Sequence, residues 1–376
     1  SGPDCLVINA SNGVTERKLS VKSAGEEWGY LAVADDVLIG SAVAKGAVRR
    51  ELSYTAIYEG GYGDNKRVVC SRRLFAVDLK SGRELWNYRP LGAIANPSIC
   101  IEKGTLFFLE SGNEDTMRGA AARSKDSPGS SQAGRWGYDE LVGKQGASLV
   151  ALDLGNGKEL WRRPLDLPLS GIQTFYLSAS AGLLVATHSF NSVSVPKPAA
   201  DEKSPQGENA QPKPPKKPTL HYAVEVMDAG KGKTTWEHGF DTGRQTNLTH
   251  GEQDLHPVIV GDRLIIEPKV FNLSDGKILF SFARQGGGGC GAISASSNKL
   301  YFRAGHPTEF NLESKKQQWI TRSPRPGCWI NIIPANGLLL VPEGSSGCIC
   351  SFPVQASMAY GSESPRPAGA PEGSAE

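Results

Sequence analysis

Short apolar runs separated by turn residues recur from one end of the chain to the other, and no stretch carries apolar residues at sustained helical spacing. Gly182 to Ser189 and Leu338 to Val341 are representative, and both predict short buried strands. Further strand pairs are predicted at Gln173 to Leu177 with Leu183 to Thr187, Ile293 to Ser296 with Lys299 to Arg303, and Trp329 to Ile333 with Leu338 to Val341. The pattern is that of an all-β protein.

Between these pairs one motif repeats at constant spacing. It reads Ala76-Val77-Asp78, Gly82, Leu85-Trp86; then Ala151-Leu152-Asp153, Gly157, Leu160-Trp161; then Val226-Met227-Asp228, Gly232, Thr235-Trp236. Degenerate copies keep the spacing at Asn272, Gly276 and Phe280, at Asn311, Lys315 and Trp319, and at Asn9, Gly13 and Arg17. The physics is that of a hairpin. A strand ends at Asp or Asn, a tight turn uses Gly where φ is positive, and a second strand carries a large aromatic that wedges between neighbouring sheets. The signatures at Asp228, Asn272 and Asn311 lie 44 and 39 residues apart, the length of one four-stranded propeller blade.

The wider intervals contain insertions at about 42–69, 113–145 and 192–218, the last ending in the Lys/Pro tract Gln211 to Pro218. That third insertion has too few apolar residues to order itself and reads as a surface loop. The expected organisation is a propeller over residues 1–360, with six units readable in a ring of six to eight blades, and a disordered tail or linker over 361–376. The chain opens on an outer hairpin, Cys5 to Ala10 with Thr15 to Val21. It ends on an inner pair plus a strand at Cys350 to Ser357, the arrangement of a ring closed by strands from both termini.

Composition narrows the function. Forty-one basic against 39 acidic residues give a formal charge of +2, so no global field recruits nucleic acid or an anionic membrane. No apolar run is long enough to span a bilayer. Seven cysteines, four of them late (Cys290, Cys328, Cys348, Cys350), suggest disulfides and a periplasmic or secreted location.

The Ala-x-Asp-x-x-x-Gly-x-x-Leu-Trp pattern resembles the tryptophan-docking repeat of quinoprotein-like propellers, over about residues 5 to 358. That family includes pyrroloquinoline-quinone dehydrogenases and the non-catalytic propeller lipoprotein of outer-membrane assembly. The stretches Gly289-Cys290-Gly291, Arg325-Pro326-Gly327-Cys328-Trp329-Ile330-Asn331, Ser345-Ser346-Gly347-Cys348-Ile349-Cys350 and Trp28-Gly29-Tyr30-Leu31-Ala32 are similar to uncharacterised quinoprotein-like repeat proteins of Planctomycetes-type bacteria. The dehydrogenases carry directly adjacent cysteines over the quinone, and here the nearest pair is Cys348-Ile349-Cys350.

Candidate chemistry is local. Cys290, Cys328, Cys348 and Cys350 are read as disulfide partners, with a zinc or copper site as the alternative. His250 and His256 flank Glu252 and Asp254 just before an inner strand and are candidate metal ligands, His256 the better placed because it abuts the strand. Gly286 to Gly289 lacks the spacing of a phosphate loop and reads as a tight crossing. Arg303, Arg325 and Glu343 stand beside inner strands, where an anionic or sugar ligand is conceivable and solvation is the ordinary fate. Trp136 and Tyr138 form either an aromatic platform or a pin for the second insertion.

The sequence therefore predicts an extracytoplasmic binding or assembly module for a protein or polysaccharide, with no cofactor expected. The alternatives are a quinone- or copper-dependent oxidoreductase with its site in the central channel, and a polysaccharide hydrolase or lyase.

Overall fold

The computed structural model describes residues 2–21, 23–48, 67–117, 134–168, 171–191, 219–245, 256–285, 291–322, 326, 331–342 and 356–361. It is a β-propeller. An isolated hairpin, β1 (Asp4–Ile8) and β2 (Thr15–Ser20), comes first. Blade 1 is β3 (Glu26–Ala34), β4 (Val37–Ala44), β5 (Val68–Asp78) and β6 (Glu84–Tyr88). Two short strands, β7 (Ile94–Ala95) and β10 (Arg135–Trp136), pair with β5. Blade 2 is β8 (Cys100–Glu102), β9 (Thr105–Ser111), β11 (Ala147–Asp153) and β12 (Glu159–Leu165). Because β7 also pairs with β9, the first two blades form one continuous sheet.

The next three blades are separate four-stranded antiparallel sheets. Blade 3 is β13 (Ile172–Ser180), β14 (Leu183–Asn191), β15 (Thr219–Asp228) and β16 (Lys233–Gln245). Blade 4 is β17 (Val258–Val260), β18 (Arg263–Ile266), β19 (Lys269–Asn272) and β20 (Ile278–Ser281). Blade 5 is β21 (Ser294–Ala295), β22 (Lys299–Ala304), β23 (His306–Asn311) and β24 (Gln317–Trp319). A last sheet has three strands, β25 (Ile333–Ala335), β26 (Leu338–Val341) and β27 (Met358–Gly361). Its third strand thus begins after the expected Cys350 to Ser357, of which 350–355 lie outside the described residues and Ser357 carries no strand.

The repeated motif sits at the turn between the third and fourth strand of each blade. At Asp78, Asp153 and Asp228 the carboxylate accepts backbone N–H groups of the turn, and the Gly four residues on takes φ of 73°, 70° and 65°. The aromatic then docks on the neighbouring blade. Trp86, Trp161 and Trp236 lie over Gly157, Gly232 and Gly276, where an added Cβ would fall within 2.7, 2.9 and 2.6 Å of the indole. Their indole N–H groups donate to the carbonyls of Leu154, Ala229 and Leu273 at 2.7, 3.0 and 2.9 Å. Arg17 copies the latch from the hairpin, donating to the Leu79 carbonyl at 2.9 Å. Trp319 departs from the expected wedge: it is 42% exposed, with His306 edge-on to its ring and Arg322 over it.

Core clusters lie between sheets, as a propeller requires. Leu74, Trp86, Phe108 and Val150 join blades 1 and 2; Phe107, Leu149, Phe175 and Leu184 join blades 2 and 3; Val185, Val224, Leu264 and Phe271 join blades 3 and 4; Ile265, Leu300 and Phe302 join blades 4 and 5.

Part of the second insertion is core. The short helix α1 (Tyr138–Val142) buries Tyr138, Leu141 and Val142, and the Tyr138 hydroxyl donates to the Phe175 carbonyl at 2.9 Å. Trp136 pairs in β10 and is half-buried, so the pair pins the insertion and does not present a platform.

Candidate functional site

Antiparallel alternation sorts the connections onto two ends. One end carries the hairpins between first and second strands, such as Lys103-Gly104 and Ala181-Gly182, together with the signature turns, all of them tight. The other end carries the links from second to third strand and from blade to blade. Among the described residues, every connection that opens into a long insertion leaves and re-enters the sheets there: Ala44 to Val68, Ser111 to Ala147, and Asn191 to Thr219. We call this the loop end.

His256 belongs to the loop end, immediately before β17. The residue is exposed overall, but its ring leans on Tyr176 with centroids 5.0 Å apart, and this one-sided desolvation holds its pKa below the usual imidazole value. His250, Cys290, Cys328, Cys348 and Cys350, and likewise Gly286 to Gly289, Arg325 and Glu343, lie outside the described residues. Among the described residues Cys5, Cys70 and Cys100 form no disulfide, and burial pushes Cys100 up to about 12, far from a reactive thiolate. Among the described residues no three His, Cys, Asp or Glu side chains gather as a metal site.

Arg303 is not at a rim. It is 4% exposed on β22, next in sequence to the buried Phe302. There Arg284 lies 2.7 Å from Glu267, donates to the Gly291 carbonyl and stacks over Phe302. Arg303 faces Pro307 across a hairpin that turns at Gly305, so it lies within the β22–β23 pairing and not on a free rim.

A cleft of about 460 Å3 opens between blades 2 and 3. Across its blade 3 wall, Phe175, His188, Ala223 and Gly239 stand opposite one another on successive strands, and Ala186, Glu225 and Glu237 form the next row. Opposed residues of an antiparallel sheet share a face. The small side chains Ala186, Ala223 and Gly239 therefore make a depression between larger neighbours, closed on the blade 2 side by Arg163, Leu165, Asp166 and Leu167.

Charge in the cleft is partly spent. Arg163 grips both Glu225 oxygens at 2.6 Å and donates to the Gly232 carbonyl at 2.8 Å. Thr234 donates to the same carboxylate. Asp166 and Glu237 line the cleft exposed to solvent, with no ion pair described for either. His188 stacks between Phe175 and Phe190, with centroids 6.4 and 5.7 Å away. Burial pulls it down to about 4, against the opposing pull of Glu225, so at neutral pH it is an uncharged imidazole. His238, beside Lys269 at 3.3 Å, is held low by burial and by that cation.

Sequence reasoning missed this cleft. Its only signals were a histidine among small residues in an otherwise apolar strand, Ala186-Thr187-His188-Ser189, and an arginine two places after a signature Trp.

No protein-family model and no curated protein matches the chain. Among solved structures it is similar to BamB from Moraxella catarrhalis, with 11% identity over 91% of this chain and 78% of that one, and a TM-score of 0.48. It is also similar to a chain in a mitotic checkpoint complex, at 9% identity over 90% and 78% of the two chains, with a TM-score of 0.45. A third, the acylaminoacyl peptidase of Pyrococcus horikoshii, is 9% identical over 84% of this chain and 42% of that one, with a TM-score of 0.40. At such identities a likeness speaks to fold alone, and the propeller reading rests on the sheets and latches described above.

Proposed function

We propose that the protein is an extracytoplasmic, periplasmic or secreted, propeller that binds a protein partner through its loop end. The observation that carries this reading is the asymmetry of the two ends: among the described residues, tight turns lie on one and the strand ends that flank the long insertions lie on the other. Loops carried on a rigid scaffold are where binding surfaces are commonly built. The cleft at His188 suits the anchor of such a partner. Its apolar floor and neutral imidazole accept an uncharged or aliphatic stem, and Asp166 and Glu237 at its mouth suit the head of a lysine or arginine.

The test compares charge-reversed variants at the two ends in chemical crosslinking within the native host envelope. Asp166→Lys with Glu237→Lys is expected to abolish a specific crosslink that Lys80→Glu with Lys277→Glu, at the signature turns, leaves intact. Equal loss from both ends would overturn the assignment. Elemental analysis and a visible spectrum of protein purified without chelator address the oxidoreductase reading: stoichiometric copper or a quinone band would replace this proposal with it.

A further inference from the structure

The outer strands of the blades are not alike. β6, β20 and β24 span five, four and three residues, and the seven of β12 include Pro164, which has no N–H to offer a neighbour. β16 runs for 13 residues without a proline and ends its sheet: among the described residues no strand pairs with its outer edge. Its pairing with β15 shifts register at Val226/Met227 and is then regular from Trp236 to Asp241. A straight edge of this kind turns alternate N–H and C=O groups outward, and sheets commonly blunt it with proline, a bulge or a cover.

Its two faces meet different surroundings. Trp236, His238 and Phe240 face blade 4: the Trp236 indole donates to the Leu273 carbonyl, His238 stands edge-on to Phe271 with centroids 5.5 Å apart, and Lys269 lies 4.3 Å from the Phe240 ring centre. Glu237, Gly239 and Asp241 alternate with them and share the opposite face, where Glu237 and Gly239 line the cleft against blade 2. Gly239 is bare because His221 lies across it. The His221 Nδ1 donates to Asp241 at 2.9 Å, and its Nε2 would fall 2.9 Å from a Cβ placed at Gly239. In the neutral ring that bond leaves the Nε2 lone pair at the margin of the cleft. Among the described residues no Lys or Arg pairs with Asp166, Glu237 or Asp241.

We propose that β16 takes an extended basic segment of a protein partner as the fifth strand of its four-stranded sheet, with a lysine or arginine opposite Gly239 and further cations two places to either side. This rests on reading the cleft as the anchor site of a partner, and adds to it the backbone geometry and the spacing of the anchors. Opposed residues share a face, so the side chain opposite Gly239 continues the row Phe175, His188, Ala223, Gly239 and enters the cleft. Its stem lies along Leu165 and Leu167, and its head donates to Asp166 and the His221 Nε2. The residues two places away stand opposite Glu237 and Asp241. An acidic segment would set like charges against three carboxylates, and cations at consecutive positions would send every second head to the blade 4 side, where Lys269 already stands. Main-chain bonds to the edge supply affinity, and the alternate cations supply specificity.

Short synthetic peptides that alternate lysine with threonine test this, with binding read by fluorescence anisotropy. The alternating peptide is expected to bind about tenfold more tightly than one of the same composition with its lysines contiguous, and Asp166→Lys with Glu237→Lys is expected to remove that binding. N-methylation then tests the backbone. Methylating the lysine amides or the threonine amides blocks opposite edges of the peptide strand, so one series is expected to lose binding and the other to keep it. Binding that needs Asp166 and Glu237 but responds equally to both series would leave the cleft as an anchor and overturn the added strand. No binding, or binding indifferent to the charge reversals, would overturn both. Amide exchange of the unsubstituted protein reads the same contact without a variant: the peptide is expected to slow exchange across Trp236 to Asp241, and unchanged exchange there would refute strand addition.

Discussion

Replacing Trp86 by Ala tests whether the latches hold this propeller together. The indole is 8% exposed, lies over Gly157 and donates to the Leu154 carbonyl at 2.7 Å in a buried setting. Removing a buried aromatic of this size costs about 3–5 kcal/mol through lost transfer energy and the cavity left behind. Trp86→Phe keeps most of the ring but orphans the carbonyl, for about 1–3 kcal/mol. The control is Leu85→Ala: Leu85 is 38% exposed, and the change is expected to stay within about 0.5 kcal/mol. Urea unfolding followed by circular dichroism gives each difference from the midpoint shift and the slope. A Trp86→Ala variant as stable as the Leu85→Ala control would refute the reasoning, because it would mean that blades 1 and 2 are held by their shared sheet and not by the wedge.

Other outcomes follow from the same contacts. Gly157→Ala imposes both a left-handed backbone (φ 70°) and a Cβ 2.7 Å from Trp86, and is expected to cost at least about 2 kcal/mol in the same urea assay. His188 is neutral when folded with a pKa of about 4 against 6.5 when unfolded, so between those values the unfolded chain binds the extra proton. Its contribution is complete above pH ~6.5 and lost as pH falls toward 4, up to about 3 kcal/mol, and His188→Phe is expected to flatten that part of the stability-against-pH curve. Arg163→Met frees Glu225 from its bidentate partner, and the bare carboxylate is expected to raise the His188 pKa, read by NMR titration of the ring protons. Tyr138→Phe removes the bond to the Phe175 carbonyl and is expected to cost about 1–3 kcal/mol, where an aromatic platform on a free loop would cost nothing.

The repeat, and through it the fold, is legible along the chain. Asp78, Gly82 and Trp86 are legible as a unit because a signature turn is local: its hydrogen bonds span four residues, and its glycine is needed for a φ that few other residues adopt. Fixed spacing then carries the inference from turn to blade and from blade to ring. What the sequence could not determine is whatever depends on which blade a side chain meets. Trp86 and Trp319 occupy the same motif position, yet one is buried over Gly157 and the other is 42% exposed, because burial is decided by what the next blade presents, which no local signal reports. Arg303 read as a rim charge and is buried within the β22–β23 pairing. The cleft at His188 gathers Arg163, Glu225 and Glu237 from β12, β15 and β16, residues brought together only by register and by the packing of one sheet on the next. A propeller writes its architecture locally, once per blade, and assembles its surfaces between blades, where register and packing across sheets set which side chains meet.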